Sequence, residues 1–168
     1  MKKKSIIIVS IVIVVVVVGL LLTYAGITIG SAYANSQDKE WGLHLSATDV
    51  SSTGLTLTLQ RYDSEREEEL TTGNDYWVQR KTLFGWEDLQ TIDGVIVENY
   101  PIGLEMQEGD EQVWELDWEP IFGKLTPGIY RISKQSIADD YGKYSEEEIK
   151  ELNLEPTVYA TFVVWPWD

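Results

Sequence analysis

Hydrophobic and polar residues are distributed along this chain in three regimes. Residues 6–22 are apolar apart from Ser10 and Gly19, and no charged residue interrupts the run until well past Ile29. Those 24 residues, 6 to 29, exceed the roughly 20 that a helix needs to cross a ~30 Å hydrocarbon core. Valine and isoleucine dominate the run and would favour strand in water. In lipid the backbone must satisfy its own hydrogen bonds, so a transmembrane helix is predicted.

Beyond residue 40 the period changes to two. Apolar and polar residues alternate over 43–47, and a turn at Thr53-Gly54 leads to Leu55, Leu57 and Leu59 alternating with Thr56, Thr58 and Gln60. Leucines on one face and threonines on the other describe a half-buried strand. Turn chemistry at Thr72-Gly73-Asn74-Asp75 precedes a predicted strand over 76–81. Phe84-Gly85 marks a hairpin turn before 86–90, and Asp93-Gly94 separates that strand from 95–98. Over 113–119, Trp114, Leu116 and Trp118 take one face and Glu115, Asp117 and Glu119 the other. Leu125-Thr126-Pro127-Gly128 turns into a strand at 129–134, and a last strand covers 157–165. Short alternating strands with regular turn signals predict an antiparallel sandwich.

The third regime is helical. Ser145-Glu146-Glu147-Glu148 has the spacing of a capping box, with acids where the helix dipole favours them. Ile149 and Leu152 supply an apolar stripe, and Asn153 and Pro156 end it. The expected architecture is therefore all-β, a sandwich with one short inserted helix behind an N-terminal transmembrane helix. Residues 1–34 form the anchor, 35–40 a polar tether, and 41–168 the external domain. The charged stretch 63–69 lacks periodicity and reads as a solvated loop.

Charge fixes the orientation. Lys2, Lys3 and Lys4 precede the apolar run and stay on the cytoplasmic side by the positive-inside rule, which places the domain outside. Ala32-Tyr33-Ala34 has the small-x-small form of a signal-peptidase site. The apolar run is much longer than the about 7–15 residues of a cleaved signal, which favours an uncleaved anchor; release after Ala34 stands as the alternative. The whole chain carries 13 − 28 = −15, and the part beyond Ala34 carries 10 − 28 = −18. So acidic a surface repels nucleic acid and anionic headgroups. With no cysteine and one histidine, disulfides, thiolate zinc, a cysteine nucleophile and multi-histidine metal sites are excluded.

Several segments together resemble a bacterial immunoglobulin-like domain family found in membrane and secreted proteins of Gram-positive bacteria. They are Ser52-Thr53-Gly54-Leu55-Thr56-Leu57, Leu70-Thr71-Thr72-Gly73 with Tyr76-Trp77, Gly85-Trp86, and Val113-Trp114-Glu115-Leu116-Asp117-Trp118-Glu119. Phe122-Gly123, Pro127-Gly128, Tyr130-Arg131-Ile132-Ser133-Lys134, Tyr100-Pro101-Ile102 and Tyr159-Ala160-Thr161-Phe162 continue the match. The resemblance spans residues 41–164. It implies an Ig-like β-sandwich without catalytic residues or an assigned ligand. The loop at 63–69 and the segment 136–155 depart from the family pattern, the second as an insertion.

Candidate chemistry is sparse. His44 lies on a strand between Leu43 and Leu45 and points outward, with no nucleophile motif beside it. Glu115, Asp117 and Glu119 share a strand face, at spacings of roughly 6.5–7 Å, but a solvated face opposite tryptophans accounts for them. Asp139-Asp140, Glu67-Glu68-Glu69 and Glu146-Glu147-Glu148 are the acid groups a calcium ion would use, and none has the spacing of a calcium loop. Trp114 and Trp118 are expected in the core, and Tyr130 is expected to return a hydroxyl hydrogen bond at the sandwich corner. Trp41, Trp77 and Trp86 are open between core and surface. Trp165 and Trp167, flanking Pro166, are the candidate contacts for a glycan or a partner.

The expected function is that of a membrane-anchored external module with a non-enzymatic interaction or structural role at the cell envelope. The alternative is a secreted domain that binds cell-wall glycan or another ligand. No cofactor and no metal are expected. The expected partners are the membrane, through the N-terminal helix, and a protein or cell-wall component.

Overall fold

The computed structural model describes residues 37–95, 103–139 and 141–167. The predicted anchor, the cut after Ala34 and most of the strand expected at 95–98 lie outside them. Among the described residues no helix is long and apolar enough to cross a membrane.

Strict alternation produces the first sheet. Strands β1 (Gln37–Asp38), β2 (Leu43–Thr48) and β3 (Gly54–Arg61) are followed much later by β8 (Glu111–Asp117), and all pair antiparallel in the order β1-β2-β3-β8. In β3 every second residue is buried: Leu55, Leu57 and Leu59 face inward, and so does Arg61. Residues 37 and 38, assigned to a tether from the sequence, pair with His44 and Leu43 and close the sheet edge.

The second sheet is built around β9 (Gly128–Ala138), five residues longer than the 129–134 core expected from the sequence. β10 (Thr157–Val164) pairs along one edge of it. The Ser136 and Ala138 amides donate to Pro156 and Leu154 carbonyls on that same side, so even-numbered residues bond toward β10. The other edge takes β5 (Trp77–Thr82) and then β4 (Leu70–Thr72) in series. β6 (Gly85–Asp88) extends β5, and β7 (Leu104–Met106) extends β4. The hairpin loop is Leu83-Phe84, one residue earlier than expected, and Gly85 opens β6 at φ 141°. That left-handed value is why glycine stands there.

Short helices join the strands. Strand β8 stops at Asp117, and Glu119 is not on its face as expected: it starts α1 (Glu119–Phe122), where Pro120 fits the first turn because its missing N–H is not needed. Among the described residues the single-helix expectation is thus corrected to two short α-helices and a 3₁₀ turn at Tyr141–Lys143. Helix α2 (Glu146–Glu151) forms with both halves of the capping box in place. The insertion assigned to 136–155 is also revised, since residues 136–138 are β9 and Ile149 and Leu154 enter the core.

Between the sheets, leucines of β2 and β3 meet Val78, Ile132, Val158, Ala160 and Val164. Trp118, Phe162 and Tyr130 stack through centroid separations of 5.6 and 5.7 Å. Arg80 pairs with Tyr130 and Val164 with Gly128, so the β5–β6 tip and Trp165-Pro166-Trp167 leave the same end of the sandwich. The Trp41 indole N–H donates to the Asn153 carbonyl at the other end, where β1 pairs with the start of β2. Along β9 these ends are roughly 33 Å apart.

Candidate ligand-binding face

The outer face of the six-stranded sheet is where aromatic and polar side chains converge. On β5 the inward residue Val78 alternates with outward Trp77 and Gln79, and on β9 inward Ile132 alternates with outward Arg131 and Ser133. Register then sets two rows. Trp77 pairs with Ser133, which pairs with Tyr159. One step along, Asp88 pairs with Gln79, and Gln79 with Arg131. A small residue between two rings leaves a trough, an open cavity of about 270 Å³ walled by Trp77 and Tyr159 and extended by Gln135 and Thr157.

This face is held in place by its own bonds. Gln79 Nε2 donates to Asp88 Oδ1 at 2.7 Å, and Arg131 Nε donates to Gln79 Oε1 at 2.6 Å. The Arg131 guanidinium lies between two rings, 4.7 Å from the Trp86 centroid and 4.5 Å from that of Tyr159. Such a bracket removes rotamer freedom before any ligand arrives. Trp77 is different: it is 46 % exposed, and among the described residues no cation covers its ring.

Trp77 owes its position to a buried lysine behind the sheet. Between the pairs Thr72–Ser136 and Trp77–Ser133, four residues on one chain oppose two on the other. The extra residues bulge, and Lys134 Nζ gathers them by donating to the Gly73 and Asp75 carbonyls, the latter at 2.8 Å. Its ammonium also sits 4.2 Å from the Trp114 ring centroid, and the Trp114 indole N–H reaches Asn74 Oδ1 at 3.1 Å. Burial pushes the Lys134 ammonium down to about 8, against a smaller upward pull from the Asp75 carboxylate.

A second buried cation organises the charged loop. Arg61 donates to the carbonyls of Met106 at 2.7 Å, Glu68 at 2.6 Å and Arg66 at 3.2 Å. The segment read as solvated therefore has exposed acids on a backbone wrapped around one guanidinium. Arg66 in turn bonds Glu40, whose carboxyl it holds below its ordinary value.

The residues singled out from sequence are scattered. Trp118 is fully buried and donates its indole N–H to the Ser52 carbonyl, whereas Trp114 is half-buried over Lys134. Tyr130 Oη donates to the Thr126 carbonyl at 2.6 Å, bridging the Pro127-Gly128 corner. Trp165 and Trp167 stack on each other at 5.3 Å, and Trp167 is 77 % exposed. They sit at the end of the sandwich near Leu83 and Phe84, apart from the trough. Trp41 is core. His44 is half-buried, with Nδ1 shielded from solvent, rather than fully outward. Among the described residues no three acids or histidines cluster to hold a metal.

Sequence alone did not find the trough. The signal was present in the alternation of Trp77, Gln79 and Lys81, but Arg131 and Tyr159 join them only through strand register.

Comparison with known proteins adds one match: the model of a family described as bacterial Ig-like domain covers residues 37–154. It begins where β1 begins and runs through α2, the segment read as an insertion. Neither the curated proteins nor the solved structures contain a match.

Proposed function

The chain belongs to the bacterial Ig-like domain family, whose members are extracellular-type modules with a non-enzymatic role, and from that premise we propose that it is a membrane-anchored interaction module displayed at the cell envelope. The observation that supports this most is the prearranged aromatic and polar outer face around Trp77 and Arg131. A sheet face serving only as a solvated exterior has no need of a half-exposed tryptophan beside a bracketed guanidinium. In this reading residues 6–29 hold the chain in the membrane. Trp165 and Trp167 leave one end of the sandwich, and the trough lies along its flank.

Fractionation of cells expressing the chain with a C-terminal tag tests the anchoring. The expected result is recovery with membranes, with the tag open to added protease on intact cells. Recovery in the medium as a shortened chain would instead favour the secreted alternative, for which the exposed Trp165–Trp167 stack is the supporting feature.

A further inference from the structure

We infer that the trough between Trp77 and Tyr159 is a saccharide-binding subsite, an inference that rests on the interaction-module reading and names its ligand class. Four features of the site select that chemistry. Trp77 offers an open ring on which the C–H face of a pyranose can stack, while the rings of Trp86 and Tyr159 already carry Arg131. The walls stand two strand spacings apart, roughly 9.6 Å between backbones. The short Ser133 side chain between the walls keeps that space open.

The polar lining is the third feature. Ser133, Gln135 and Thr157 each both donate and accept, as sugar hydroxyls do. Arg131, with its Nε committed to Gln79, also lines the trough and its guanidinium brings further N–H donors to it. The fourth feature is electrostatic. Beyond Ala34 the chain carries 10 − 28 = −18, which disfavours nucleic acid, phosphate-rich polymers and anionic lipid surfaces. A protein partner would call for a dry apolar centre, and the floor here is hydroxyl and amide.

Isothermal titration of the full-length chain, held in a detergent without a sugar headgroup, tests the inference with two probes. One is tetra-N-acetylchitotetraose, a neutral amino-sugar chain; the other is a glycan strand bearing muramic acid carboxylates. Saturable heat from either probe, at about millimolar affinity, is expected for one stacked ring and a few hydrogen bonds. Trp77→Ala should weaken it at least about tenfold and Gln135→Ala a few fold, with Trp167→Ala unchanged. Thermal melts of the three variants confirm that each still folds. Absence of binding by both probes overturns the inference, as does binding that survives Trp77→Ala. Photo-crosslinking from position 77 on intact cells separates the two levels: capture of a protein there, without saccharide binding, leaves the interaction module standing and removes the sugar.

Discussion

Removing the buried charge behind the trough should change how stability depends on pH. Lys134 is 1 % exposed and its ammonium is lowered from 10.5 to about 8, burial being the larger cause. Below about pH 8 both the folded and the unfolded chain hold this proton, and above about 10.5 neither does. Between those values the unfolded chain keeps a proton that the folded chain has shed, so stability must rise with pH across that window. At about 1.36 kcal/mol per pH unit, a gap of about 10.5 − 8 gives a rise of roughly 3 kcal/mol. Urea unfolding of the wild type and of Lys134→Met, followed by tryptophan fluorescence at steps across the window, isolates it. The variant orphans the Gly73 and Asp75 carbonyls, but that cost does not vary with pH, and tyrosine ionisation is shared by both chains. The difference in unfolding free energy, wild type minus variant, should therefore climb between about pH 8 and 10.5. A flat or falling difference would refute a desolvated ammonium at this position.

Other perturbations follow from single bonds. Tyr130→Phe removes the hydrogen bond to the Thr126 carbonyl and should cost about 1 kcal/mol, seen as a lowered melting temperature with an unchanged fold. Ser145→Ala breaks the capping box of α2 and should cost about 1 kcal/mol, with faster amide exchange at Ile149 and Leu152 as its local mark. Arg61→Met leaves the Met106, Arg66 and Glu68 carbonyls without their donor, and limited proteolysis should then cut within residues 62–69 many times faster than in the wild type.

What the sequence made legible was whatever depends on local period. The leucine–threonine alternation of β3 and the tryptophan–acid alternation of β8 name their buried faces without help, and the serine–glutamate spacing of α2 names its first turn. Strand β4 was hidden because three residues carry almost no period and they lead directly into turn chemistry. Arg61 and Lys134 escaped for a different reason. Each occupies an inward position of an alternating strand, yet a cation is buried only when carbonyls from elsewhere come to meet it. The trough is the extreme case, since Trp77, Arg131 and Tyr159 lie far apart in the chain and become neighbours only through the pairing of β5, β9 and β10. Composition had drawn attention to Trp165 and Trp167 instead, which stand at another part of the surface.

The central claim is that this module is displayed outside the cell and engages its ligand through the outer face of the six-stranded sheet. Photo-crosslinking on intact cells, with the reactive group at position 77 and, as the control, at position 58 on the outer face of the other sheet, tests it most directly. Position 77 should yield discrete crosslinked species from the envelope, and position 58 should not. Equal yields from both positions, or none from position 77, would contradict the account.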